Sequence, residues 1–209
     1  MTLTDRFLQA RHWQLFLLAF GIPILFQFFI MGSVLTGIGS GTRPDKSVIL
    51  SLFSIIPIVM VISMGTMFGW FWSIVIGLQH KLPETAKIKT GTFKVLFFIP
   101  LIYLLFFLAA IGVLINGLSE SMQGSDPPPP GLIIGSMLII FPIHLFAIFC
   151  IFHSLFYVAK TIKTIELQRP TTFSDFAGEF LLIWFYFIGI WIIQPKVNRM
   201  AEGKTSSGL

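Results

Sequence analysis

Residues 15–37 read LFLLAFGIPILFQFFIMGSVLTG, a run without one charged side chain. A helix that crosses a bilayer needs about 20 mainly apolar residues, so this stretch is long enough. Pro23 stands near its middle. A proline inside a helix removes one backbone hydrogen bond and clashes with the turn before it. Membrane helices tolerate that loss because packed neighbours supply the freed carbonyl with another partner. Three further apolar runs repeat the arrangement: Val48 to Leu78 with Pro57, Phe93 to Ile115 with Pro100, and Leu132 to Ala159 with Pro142. The chain is therefore read as an all-α, polytopic membrane bundle of four proline-kinked spans. The second run is far longer than a bilayer requires, so it is expected to tilt, bend at Pro57 or project from the membrane.

Composition agrees. Of 209 residues, 55% are hydrophobic and 11% charged, whereas a soluble domain is nearer one quarter charged. The net charge of +5 is spread over short segments between apolar runs, which argues against nucleic acid as a partner. None of those segments is long enough to fold as a soluble domain. The first run exceeds a signal-peptide core of roughly 7–15 residues and is read as an uncleaved span. The single cysteine, Cys150, lies inside an apolar run.

Flanking Lys and Arg set orientation in membranes. With four spans and a cytoplasmic N-terminus, twelve fall on the cytoplasmic side against two outside (Arg43, Lys46). A fifth apolar run, Leu181 to Ile193, is only 13 residues long. It suits an interfacial or re-entrant helix, with Trp184, Tyr186 and Trp191 at headgroup level and Pro195 ending it. The rival reading extends it back to Phe173 as a fifth span, which moves the tail outside and worsens the charge balance to nine against five. The expected division is a four-span bundle over 1–172 and a membrane-associated helix with a cytoplasmic tail over 173–209. Asp175 and Glu179 are expected near the interface, where acids early in a helix favour its dipole.

The two helix pairs resemble each other. Each helix holds an apolar-Pro-apolar step, and both inner segments end in Thr-Phe, at Thr92-Phe93 and Thr172-Phe173. A duplication would relate the halves by an axis along the membrane normal. Similar composition alone would give the same likeness.

Two constellations carry the candidate sites. Gly65, Gly69, Ser73 and Gly77 recur every four positions on the second run, so they share a slowly drifting helix face. Small residues let backbones approach closely. The face either packs within the chain or forms a seam between copies. On the fourth run, Cys150, His153, Ser154 and Tyr157 stand at i, i+3, i+4 and i+7, with Thr161 beyond. Ionisable groups inside spans usually face the bundle interior or a wet cavity. This polar stripe either holds helices together by hydrogen bonds or lines a cavity with a titrating histidine. A closed metal site wants four ligands and only two can be nominated, so no metal is expected. Gln27, Tyr103 and Asn116 are read as interhelical hydrogen-bonding groups. No nucleotide-binding glycine loop, HExxH, GxSxG or paired intramembrane acids occur, and neither catalysis nor a cofactor is expected.

The segments Lys160-Thr161-Ile162-Lys163-Thr164, Phe173-Ser174-Asp175-Phe176-Ala177-Gly178-Glu179-Phe180 and Gln194-Pro195-Lys196-Val197-Asn198, with Gly21-Ile22-Pro23 and Lys81-Leu82-Pro83, give a resemblance to a group of small multi-span inner-membrane proteins of Gram-negative bacteria. The resemblance implies an inner-membrane location and assigns no chemistry to any residue. The leading functional expectation is a non-catalytic subunit or scaffold of a membrane complex. Its partners would be the lipid bilayer and either a second copy or another membrane protein. The alternative is an oligomeric channel or small transporter component built on the polar stripe.

Overall fold

Apolar chain in hydrocarbon must close its backbone hydrogen bonds internally, and the result here is helix joined by turns. The computed structural model describes residues 2–39, 46–122 and 130–203, and no strand occurs among them. Helix α1 spans Leu3–Gln9. Helix α2 (His12–Phe16) runs through a π-helical turn, Leu17–Gly21, into α3 (Ile22–Gly39). Helix α4 (Lys46–Trp72) continues through a second π turn, Ser73–Gly77. Then come α5 (Thr90–Met122), α6 (Pro130–Leu167), α7 (Phe173–Trp184) and α8 (Tyr186–Ala201). Four segments are long and apolar enough to cross a membrane: His12–Gly37, Ser54–Lys81, Thr90–Ala110 and Leu138–Leu167. The protein is an all-α bundle. Arg43, Asp126, Pro127 to Pro129 and Lys204 lie outside the described residues.

Pro57, Pro100 and Pro142 sit inside α4, α5 and α6. At Pro23 the repair of the lost hydrogen bond is visible. In an α-helix the Ala19 carbonyl would accept from the amide of residue 23, which proline lacks. The chain widens into the π turn just before it, where the Ile22 amide donates to the Leu17 carbonyl. The freed Ala19 carbonyl accepts instead from the Ser63 hydroxyl of α4 at 2.6 Å. A backbone defect in one helix thereby becomes a hydrogen bond to its neighbour.

The buried side chains gather toward one end of the bundle. Trp70 and Phe71 of α4 and Ile74 and Val75 of the π turn after it are fully enclosed, together with Phe93, Ile162, Ile190 and Ile193. Helix α1 closes over this cluster: Leu8 is buried, and the Phe7 ring lies against Gly69. At the same end the Gln168 side-chain amide donates to the Lys81 carbonyl at 3.4 Å, and Gly203 sits beside the Lys81 ammonium. The N-terminal helix, the turns after α4, the end of α6 and the end of α8 thus share one polar end.

Helices α7 and α8 fold against each other about Phe185 (φ −82, ψ 55). The two backbones touch at Gly189, where a Cβ would run into the Leu182 carbonyl group, so only glycine fits. The 12 residues of α7 rise about 18 Å at 1.5 Å each. That length is short of a hydrocarbon core about 30 Å thick. The tip lies level with Phe20 and Phe152, which meet Phe187 at 6.4 Å and Trp184 at 4.9 Å between ring centroids. Residues 173–193 therefore form no single straight fifth span. The expectation that Pro195 ends the last helix is corrected as well, because α8 continues through it to Ala201. Proline's fixed φ is helical and costs one hydrogen bond. Beside it, the Gln194 side-chain amide donates to Asn198 Oδ1 at 2.7 Å, one turn further along the helix.

The Ser63–Ala19 bond makes a sharp prediction. Ser63→Ala leaves a buried carbonyl unpartnered and should cost about 1 kcal/mol of stability, measured by thermal unfolding in detergent. In a Pro23→Ala background the new amide reclaims that carbonyl, and the cost of Ser63→Ala should shrink toward zero. Equal costs in both backgrounds would refute the repair.

Candidate functional site

At the foot of the hairpin, three helices bring four charges together. Lys163 and Glu166 come from α6, Glu179 from α7 and Lys196 from α8. Glu179 Oε1 accepts from Lys163 Nζ and from Lys196 Nζ, each at 3.2 Å, and Glu166 Oε2 lies 3.1 Å from Lys163 and 3.7 Å from Lys196. Signs alternate, so the cluster is neutral. Glu179 is 6% exposed, against the expectation of an interfacial carboxylate. The reason is its place on α7: with Phe176 and Ile183 it lies on the face turned into the bundle. Burial works to raise its pKa, but its hydrogen bonds, including those from Lys196 and Lys163, outweigh burial and hold it below the ordinary value.

Asp175 behaves as an acid early in a helix should. The Thr172 amide donates to its carboxylate at 2.8 Å, and Arg169 approaches at 2.8 Å. The hydrogen bond from Arg169 first, then those from Thr172, hold it well below the usual carboxylate range. The turn that delivers Thr172 starts at Gln168, whose φ of 51° is left-handed. Its side chain donates to the Ile165 carbonyl at 2.7 Å, supplying one of the carbonyls that a helix end leaves unpaired.

The polar stripe of α6 is enclosed but turned upon itself. Cys150, Ser154 and Thr161 are buried. The Ser154 hydroxyl donates to the Cys150 carbonyl at 3.0 Å and the Thr161 hydroxyl to the Tyr157 carbonyl at 2.8 Å. Hydroxyls closed on their own helix four residues back do not reach a neighbouring span. His153 is packed among aromatic rings, 6.1 Å from Phe149 and from Phe156 and 5.1 Å from Tyr157. Its Nε2 is buried without a hydrogen-bond partner. Among the described residues no three His, Cys, Asp or Glu side chains converge as metal ligands would.

The small-residue stripe of α4 splits. Gly69 faces the Phe7 ring and Gly77 faces Thr4, both on α1, and buried Ser73 donates to the Gly69 carbonyl at 2.7 Å. A Cβ at Gly65 would meet nothing within 4 Å, so that position faces open space. Where the stripe is covered, the cover is this chain's own N-terminal helix.

Of the isolated polar residues, Tyr103 pairs across helices: its hydroxyl and His144 Nδ1 are 2.8 Å apart. The pair edges an apolar cleft of about 120 Å³ lined by Met60, Met64, Pro100 and Ile151 among others. Gln27 departs from expectation. It is exposed on α3 and has no hydrogen-bond partner among the described residues. Sequence spacing flagged Glu179 and missed its partners, since Lys163 and Lys196 lie 16 and 17 residues away and meet it only after the chain has turned twice. Gln194, treated below as the main joint, gave no signal beyond being polar beside an apolar run.

No family model, no curated protein and no solved structure matches the chain. The class rests on the fold alone: an integral membrane protein of helical-bundle type.

The charge cluster predicts a pattern of losses. Glu179→Gln leaves two partly buried ammonium groups sharing Glu166 and should destabilise by about 2 kcal/mol, below the 3–5 kcal/mol range for fully buried pairs. Thermal unfolding in detergent measures it. Adding Lys163→Gln to Glu179→Gln should recover part of the loss, because removing both partners leaves fewer uncompensated charges. A double variant as unstable as the sum of the singles would show that the charges do not interact.

Proposed function

We propose that the protein is a non-catalytic subunit of an inner-membrane complex, with the polar end cytoplasmic and the far halves of its spans packed against another membrane polypeptide. One observation carries this reading. The Gln27 carboxamide sits exposed on α3 between Phe26 and Phe28, with no hydrogen-bond partner among the described residues. In hydrocarbon an unpaired amide costs several kcal/mol, whereas a partner helix with a polar group would satisfy it. The packing around it supports the same reading. No described side chain of Ile22–Gly39 is buried, nor any in 54–65, 101–116 or 138–146. The halves near the polar end hold the core.

The channel reading draws less support, since the hydroxyls of the polar stripe are bonded to their own helix. Charge supports the orientation: Lys81, Lys87, Lys89, Lys163, Arg169 and Lys196 are at the polar end, and the positive side of a membrane protein usually faces the cytoplasm.

The decisive measurement is native mass spectrometry of the protein gently extracted from its own membrane. A stoichiometric second polypeptide above the 23.5 kDa chain is expected, and Gln27→Leu should weaken its retention. A lone chain that conducts ions or solute in vesicles would overturn the subunit reading, and a ring of identical chains would move it to a homo-oligomer.

Orientation has its own test. In a Cys150→Ala background, Leu3→Cys, Thr85→Cys, Gly178→Cys and Gly203→Cys should all react with an impermeant maleimide from the same, cytoplasmic side. Phe185→Cys should be protected from both. Labelling of Gly178→Cys and Gly203→Cys from opposite sides would restore the fifth span.

A further inference from the structure

Beside the charge cluster, the polar end holds a second feature that no partner within the chain explains. Between the turn after Glu84–Ala86 and the last turns of α6 lies an open cleft of about 380 Å³. Three ammonium groups line it: Lys87 and Lys89 from the turn, Lys160 from α6. No acid lines it. Lys87 is bound from outside by Glu84 at 2.7 Å. Lys89 and Lys160 have no carboxylate within ion-pair distance among the described residues. The floor carries Thr171, and Phe156 and Tyr157 form an apolar wall. Thr171 and the neighbouring Thr164 hydroxyl are 2.9 Å apart, so one of the two can donate outward while accepting from the other.

We propose that this cleft binds a phosphate-bearing anion, with Lys89 and Lys160 supplying the charge and Thr171 a hydroxyl. Lys89 stands one residue before the third span and Lys160 directly follows the apolar run that ends at Ala159, within the last turns of α6; lysines so placed suit headgroup level, where basic pockets between helices take anionic lipid phosphates. The aromatic wall is the surface that the first carbons of a lipid glycerol would meet. A soluble phosphate ester would satisfy the same lysines without using that wall. The proposal is independent of the subunit reading, since none of the cleft's residues touches Gln27.

The test uses the full chain, stripped of lipid in detergent and titrated in native mass spectrometry with phosphatidylglycerol, phosphatidylcholine or inorganic phosphate. Preferential retention of phosphatidylglycerol is expected. Lys89→Gln with Lys160→Gln should weaken it on the order of tenfold. Lys89→Arg with Lys160→Arg should keep it, as should Lys94→Gln, an exposed lysine outside the cleft. Binding of inorganic phosphate that depends on the same lysines, without lipid preference, would also uphold the site and assign it a soluble ligand. Equal retention of both lipids, no binding of any anion, or binding indifferent to the glutamine pair would each overturn it. Elution of all variants as single symmetric species guards against misfolding as the cause.

Discussion

The carboxamide of Gln194 is the joint on which the polar half of the bundle depends. It is fully buried and touches three elements at once. Its oxygen accepts from the Trp70 indole of α4. Its nitrogen donates to the carbonyls of Phe7 at 3.0 Å and Ala10 at 2.9 Å, where α1 ends. It also reaches Asn198, which itself donates to Ala10 at 3.2 Å. An amide nitrogen has two hydrogens, so three acceptors must share them. The geometry makes sense from the acceptors' side: the last carbonyls of a helix lack partners, and Gln194, itself fully buried, meets them where α1 ends. Without Gln194 the Trp70 indole would be stranded, the Phe7 carbonyl would keep only the Ala10 amide at 3.4 Å and the Ala10 carbonyl only Asn198, and a buried polar group left alone costs about 1–3 kcal/mol. The N-terminal helix is thereby locked over the stripe of α4.

The same accounting explains why the two halves of the bundle differ. In lipid the hydrophobic effect does not draw helices together, because the tails are as apolar as leucine. Association then needs close packing, hydrogen bonds or charge pairs. The polar half has all three: the Gly69 and Gly77 contacts, the Gln194 joint and the Lys163–Glu179–Lys196 cluster. The far half has the Ser63–Ala19 bond at its boundary and the Tyr103–His144 pair within it. Among the described residues its spans hold no fully buried side chain, and large apolar residues such as Phe28, Phe29, Leu105 and Phe141 are exposed.

How far the sequence discloses this structure follows from the range of each interaction. Apolar runs are local, so four spans and an all-helical fold are legible from the composition of short windows. The proline rule is also local, and it foretells that a freed carbonyl must find a partner, though not that Ser63 would be the donor. The four-residue spacing on α4 marks a face that admits close approach, yet gives no means of knowing that Phe7 and Thr4 fill it. The hairpin corner was hidden because Phe185 carries no turn signal. What fixes the corner is Gly189 meeting the Leu182 backbone, a contact between elements. The polar stripe was read from helical spacing, which identifies a shared face but not whether its hydroxyls turn outward. Ser154 and Thr161 turn back to their own helix.

The hairpin shows how charge and apolarity divide one task. Its tip exposes Trp184, Phe185, Phe187 and Ile188, side chains that favour an apolar or interfacial medium and set no particular depth by themselves. Its foot holds Asp175 with Arg169, and Glu179 with Lys163 and Lys196. Moving that foot into hydrocarbon would strip water from several ions, at several kcal/mol each. Moving the tip outward would expose its aromatic surface. The charge cluster also ties both legs of the hairpin to α6, so the hairpin cannot straighten into a fifth span without breaking Glu179 from Lys196 and pulling Gln194 away from α1. Topology in this protein is held by a few buried polar contacts at one end, and the apolar residues that dominate its sequence decide only that it lies in a membrane.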